Sequence, residues 1–431
     1  MAKRYFQKQL EGRTIDNLLE LKSKLDEHTK VLTYSVTETA EATLIFETTN
    51  DRGKGLTNLE KIKSFLMYKT YLAASDDTEK HLDLIRQRFS EIFRDVEMFD
   101  GQLEEDTVLQ YHCIAFESWT DKEHYQQPVN FIRNKLNPLI KQGKKIEALK
   151  FIERFSLELR ENFRIMRELL GCSVASYRDL VCMERIANFY PLLLKSYKFD
   201  DTDSKDKFKI ICRLLEIFSF RVFAVQQNRS HTGQASIYTI TRDFVGRFGP
   251  LNEKLIKLVT DYSSRKSFRD ALGSSSLYEW MGSRDLCYLI WKYENHLREK
   301  EQPICASMSE DEFRNTDRKT RLTVEHIAAQ TQNGIVADTS ILPKMDEKFV
   351  ENNLHRLGNL TFDPASANSS KGNNKVVIKN SKYFSKAPYK TQNELESFLV
   401  KSKWTSQSIV TREAKIVKFC MSFWDPEGVV D

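Results

Sequence analysis

Cysteine is sparse in this chain and scattered. The seven residues Cys113, Cys172, Cys182, Cys212, Cys287, Cys305 and Cys420 are odd in number and never form a CxxC pair. That spacing excludes a disulfide framework and a zinc knuckle, and leaves packing thiols in a reducing compartment. Long apolar runs are missing as well. Nothing approaches the ~18 residues of a membrane span, and the opening MAKRYFQKQLEGRT has no apolar core of the signal-peptide kind. A soluble, cytoplasmic chain without a membrane partner is expected. Charge of one sign is not in large excess either: the formal balance is +5 over 431 residues, which permits nucleic acid binding without requiring it. No period of roughly 34 or 40 residues recurs, which argues against a regular solenoid. What is present is ordinary globular material, 40% hydrophobic and 29% charged, enough for a packed core and roughly two to four domains.

Read in order, the chain is mostly helical in pattern. Ile15, Leu18, Leu19, Leu21 and Leu25 fall at near-helical spacing and predict a helix ending near His28. VLTYSV (31–36) alternates and is β-branched, hence a strand. Residues 37–49 return to a helical pattern, and Asn50 to Gly55 form a turn cluster. Thr57-Asn58-Leu59-Glu60 has the form of a capping box. It opens a helix with Leu59, Ile62, Phe65, Leu66 and Tyr68 or Leu72 on one face. The turn lacks Walker spacing and a GK[ST] ending, so a structural turn is the reading and not a phosphate loop. From about 78 to 300 successive segments carry the 3.6-residue stripe. The aromatic rows Phe151, Phe155, Phe163 and Phe218, Phe220, Phe223 read as core. The loop Gln226 to Gly233, with Arg229 and His231, reads as solvated. A Pro-broken polar stretch at 299–317 reads as a linker.

IFETTNDRGKGLTNLEKIKSFL (45–66) resembles the C-terminal end of the ParB-like, DGQQR-type domain of GmrSD-family restriction proteins. The resemblance implies a helical connector after it and a nuclease domain at the C-terminus. It also implies a DGQQR half upstream of the turn, which is not matched in the some 50 residues that precede it. The Asp100-Gly101-Gln102 triplet lies downstream and reads as a surface turn. The expectation is a chain missing that half, with the ParB-like domain on a separate chain or removed by truncation.

The richest stretch runs from Thr323 to Asn374. TVEHI holds Glu325 and His326; LHRLGNLTF holds Asn359; ASANSSKGNN holds Asn368, nine residues after Asn359. This ordered set is similar to the HNH nuclease pattern, with Asn in place of the last His. The resemblance implies a hairpin of two strands, 321–327 and 358–362, followed by a helix opened by Pro364 and Ser366. A short helix over 345–357 is expected between the strands, with Phe349, Val350 and Leu354 turned inward. Neighbouring residues of a strand face opposite ways, so Glu325 and His326 share a site only if the strand ends or twists there. Phosphodiester hydrolysis needs a base for the attacking water, a role that suits His326. It also needs a hard cation, Mg²⁺ or Mn²⁺, on oxygen ligands. Glu325 and Asn368 are the metal candidates, and Asn359, grouped with His326 as catalytic, would orient the imidazole. Asn373 and Asn374 are alternative ligands. His355 is an alternative second imidazole, read here as a helix-surface residue.

Lys371, Lys375, Lys379, Lys382, Lys386 and Lys390 are spaced 4, 4, 3, 4, 4, with no acidic residue between Asp363 and Glu394. On a helix running to Pro388 most of them would line one face and meet a phosphate backbone, with Lys371, Lys375, Lys379 and Lys382 as the DNA contacts. Leu395, Phe398, Leu399, Trp404, Ile409, Ile416 and Phe419 would pack beneath. The expected fold is mainly α with small α+β elements: a remnant of a ParB-like domain over 1–110, a helical connector over 111–300, and a ββα-metal (HNH) nuclease domain over 301–431. The expected function is a metal-dependent HNH endonuclease or nickase on double-stranded DNA, in prokaryotic anti-phage defence. The alternative is a catalytically weak helical interaction or DNA-binding subunit of a defence complex. An RNA target and a homo-oligomer stay open, since lysines do not read the 2′-hydroxyl.

Overall fold

The computed structural model describes residues 2–30, 56–74, 77–117, 126–301, 305–328, 330–332, 335–336, 349–371 and 376–429. The strand expected at 31–36, the helix at 37–49 and the turn at 50–55 lie outside them. The chain forms two compact units, Met1–Gly171 and Cys172–Asp431.

In the first unit, α1 (Asn58–Ala73) starts at the capping box read from the sequence. Thr57 Oγ1 accepts from the Glu60 amide at 3.3 Å, and the Glu60 carboxylate accepts from the Thr57 amide at 2.9 Å. Each partner satisfies an amide the helix itself cannot. Leu59, Ile62, Phe65 and Leu66 are buried against α2 (Thr78–Met98), α3 (Pro128–Lys141) and α4 (Lys145–Leu170). Phe155 and Phe163 are in this core, as their spacing predicted. The helix Ile15–His28 forms on its Thr14 cap, but Ile15, Leu19 and Leu25 stay exposed. Periodicity there predicted the helix and not its burial.

The second unit is built round α5 (Asp206–Phe218), whose Phe208, Ile211, Leu214, Leu215 and Phe218 are buried. It packs on α6 (Phe248–Tyr262). Arg229 and His231 are exposed, as expected of a solvated loop. The helix α7 (Ser283–Glu299) carries an unbroken buried run from Asp285 to Glu294. It packs against both strands of a small antiparallel sheet, β1 (Leu322–His326) and β2 (Leu360–Pro364). Helix α8 (Ala365–Lys371) follows β2 directly, α9 (Val376–Lys382) comes next, and α10 (Ser406–Phe423) closes the unit. Trp404, Ile409, Ile416, Phe419 and Leu395 are buried, with Phe398 and Leu399 partly so, as the sequence suggested.

The boundaries expected near 110 and 300 differ from this division. Helix α4 packs on α1 and α2, which carries the first unit to Gly171, and the grip of α7 on β1 ties 283–299 to the segment after 301. All seven cysteines are free thiols. Among the described residues no helix is long and apolar enough to cross a membrane.

Candidate active site

The site begins with how β1 ends. Thr323 and Val324 favour extended backbone, and the ladder pairs Leu322 with Pro364 through to His326 with Leu360. It stops at His326 because Asn359 captures the chain beyond. The Asn359 carbonyl accepts from the Ile327 amide at 2.9 Å, and its Oδ1 accepts from the Ala328 amide at 3.0 Å and the Trp404 indole N–H at 3.1 Å. Its Nδ2 donates to the Leu354 carbonyl at 2.8 Å and the Ala328 carbonyl at 3.3 Å. The residue is fully buried. Asn359 is expected to orient the imidazole through its side chain or its backbone carbonyl; here both its carbonyl and its side chain bond the chain just after His326, at Ile327 and Ala328.

Helix α10 braces the same corner. Arg412, with no exposed surface, donates to the carbonyls of Gly358 at 3.0 Å and Leu360 at 2.7 Å, and to Glu394 Oε1 at 3.1 Å. Gly358 permits the approach: a Cβ there would fall on the Ile409 carbonyl oxygen and 3.0 Å from the Glu413 nitrogen.

With the strand ended, Glu325 and His326 both line one cleft of about 440 Å³, together with Tyr278, Arg321, Thr323, Gln330, Asn368 and Lys379. Helix α8 brings in Asn368, whose Nδ2 donates to Thr323 Oγ1 at 3.0 Å and the Val324 carbonyl at 3.1 Å. A carbonyl only accepts, so the amide nitrogen is fixed on β1 and Oδ1 is the atom with no hydrogen bond among the described residues. The three residues read as base and metal ligands thus converge, although they come from β1 and α8.

His326 is buried edge-on against the Tyr278 ring, 4.4 Å between centroids, with the His355 ring 5.4 Å away. Its Nε2 lies 3.3 Å from Gln330 Nε2, and an amide nitrogen only donates, so Nε2 carries the lone pair. Burial, then His355, then Lys379 push the imidazole down to about 3. At neutral pH it is uncharged, the form that takes up a proton. His355 is not the exposed helix residue expected from the sequence: its side chain is 18% exposed and its ring stacks on Tyr278 at 5.6 Å. It follows a single π-helical turn, Val350–Leu354, with Phe349 and Leu354 inward as expected.

Glu325 is buried, and Lys379 Nζ donates to its Oε1 at 2.5 Å. Burial raises the carboxyl above its ordinary range, and the Lys379 charge works against that shift. The outward lysine face expected from the sequence is corrected here. Lys371 is buried in an ion pair with Asp363, and Lys379 is buried on Glu325. Among the described lysines of the stretch, Lys382 and Lys386 are exposed and Lys390 is half-buried, and a 3-10 turn at Phe384–Lys386 ends the helical run before Pro388. Lys375, Asn373 and Asn374 lie outside the described residues.

The donor set bears on which metal fits. Among the described residues no three His, Cys, Asp or Glu side chains are grouped as a metal site. One carboxylate and one amide oxygen make a hard, oxygen-only pair that suits Mg²⁺ or Mn²⁺, ions that keep several waters. Arg412, Tyr278 and Gln330 were missed by the sequence reading, and Lys379 was read as a DNA contact and not as a partner of Glu325. The lysine spacing pointed to Lys379, but spacing does not say which face of a helix turns inward.

Residues 262–419, all within the second unit, match the family described as GmrSD restriction endonucleases, C-terminal domain. Over that segment the chain is similar to a C-terminal domain of the restriction-endonuclease type, in line with the resemblance read from the sequence. No curated protein matches the chain.

Proposed function

From a chain whose residues 262–419 are of the GmrSD C-terminal type, we propose a divalent-metal-dependent HNH endonuclease or nickase that cuts DNA in anti-phage defence. The observation that carries this reading is the convergence of Glu325, His326 and Asn368 on one cleft at the end of β1. Glu325 and Asn368 Oδ1 hold Mg²⁺ or Mn²⁺, which supplies charge neutralisation at the scissile phosphate. His326 Nε2 accepts the proton of the attacking water. Its basicity is low while the imidazole is buried beside Lys379, and an anionic phosphate in the cleft raises it toward the working range. Lys382 and Lys386, both exposed, meet the DNA backbone without reading sequence. Asn359 and Arg412 keep β1 ending where it does. Coupling to a ParB-like domain rests on the resemblance of residues 45–66 alone.

One observation favours the alternative, a DNA-binding subunit without catalysis: the Glu325 carboxylate is already neutralised by Lys379. Plasmid nicking separates the two. The nuclease relaxes supercoiled DNA with Mg²⁺ or Mn²⁺ and stops in EDTA. DNA binding with no nicking in either metal supports the subunit, and nicking that survives EDTA sinks the metal assignment.

A further inference from the structure

Lys379 makes contacts that the proposed reaction does not yet use. From α9 its ammonium donates to Glu325 Oε1 at 2.5 Å and to the main-chain carbonyl of His326 at 2.9 Å. It is 1% exposed and lines the cleft. A buried ammonium is costly unless its acceptors are well placed, and here the acceptors are the carboxylate of one proposed site residue and the carbonyl of the next. A single compact donor therefore sets where both stand. Among the described residues the bonds to Glu325 fall on Oε1 alone, which leaves Oε2 for another ligand. We infer that Lys379 is the positioning residue of this site, aiming the Glu325 carboxylate so that Oε2 and Asn368 Oδ1 are presented to one hard cation. The inference rests on the nuclease reading above.

The physical reason is that a carboxylate buried in this wall keeps a defined orientation only while a cation meets it. Without Lys379 the side chain turns or is neutralised by a proton, and a divalent ion must order the site before binding it. Arginine keeps the charge but presents a planar fork in place of a point donor, so it restores the function in part.

The test uses the full chain with Mn²⁺ alone as probe, read by electron paramagnetic resonance, beside plasmid-nicking kinetics and circular dichroism. K379M weakens Mn²⁺ binding and lowers kcat by about 10–100-fold, with KM for DNA within about 2-fold of wild type. K379R recovers Mn²⁺ binding to within a few-fold. If K379M does not fold, K379Q, which removes the charge but keeps a polar side chain, carries the same comparison. A folded variant that binds Mn²⁺ as tightly as a nicking wild type, or more tightly, overturns the positioning role and leaves the nuclease intact. A wild type that neither binds Mn²⁺ nor nicks overturns the nuclease reading and this inference with it.

Discussion

Replacing Asn359 with alanine tests whether this residue is a structural clip or a member of the reacting set. The side chain satisfies four groups: the Ala328 amide, the Trp404 indole N–H, and the carbonyls of Ala328 and Leu354. All are reached from a residue with no exposed surface, so alanine leaves them facing a small void. An unsatisfied buried polar group costs about 1–3 kcal/mol, less where water can enter, and neighbouring losses are not additive. A loss of about 3–5 kcal/mol follows, large for one substitution. For a unit of this size that corresponds to a fall in Tm on the order of 10 °C. Urea unfolding followed by tryptophan fluorescence reports it directly, since Trp404 is itself one of the partners. A variant that unfolds within about 0.5 kcal/mol of wild type yet has lost nicking would refute the clip and return Asn359 to the chemistry.

Two further outcomes follow from the same corner of the fold. G358A forces α10 away from the β2 entrance, because the new methyl meets the backbone at Ile409 and Glu413 and not a movable side chain. It destabilises by about 1–3 kcal/mol or more, and thermal unfolding with no loss of Tm would contradict the close approach. The pH dependence has a definite sign. His326 is held down to about 3 in the folded chain against an ordinary 6.5, so the unfolded chain binds the extra proton first as pH falls. Its contribution is complete above pH 6.5 and is progressively lost below it, by about 2 kcal/mol between pH 7.5 and 5. H326Q removes this slope; equal pH dependence in wild type and variant, by urea titration at both pH values, contradicts the burial.

Much of this was legible in the chain for reasons that can be named. The capping box at Thr57 and Glu60 and the inward rows of Phe155 and Phe163 are local or periodic signals, and both appear in the fold. Glu325, His326 and Asn368 were singled out by their resemblance to the HNH pattern, and the three line one cleft. The requirement that the strand end at His326 came from the alternation of strand side chains, and the ladder does end there. The direction of the lysine face was not legible. Spacing of four marks a common face but does not tell solvent from core: Lys371 turned to Asp363, eight residues back, and Lys379 to Glu325, 54 residues back. The partners of Asn359 were equally hidden, because Trp404 lies 45 residues away. The exposed apolar stripe of Ile15–His28 is the converse case: the pattern was read correctly and the core it implied is absent among the described residues.

In the proposed nuclease, His326, set in the cleft with Glu325 and Asn368, is the base. The most direct measurement is the rate of supercoiled-plasmid nicking in Mn²⁺ by the full chain and by H326A at matched folded concentration. The wild type is expected to nick and H326A to be slower by about 10²–10⁴-fold, with DNA binding retained. Equal rates in the two proteins would contradict it.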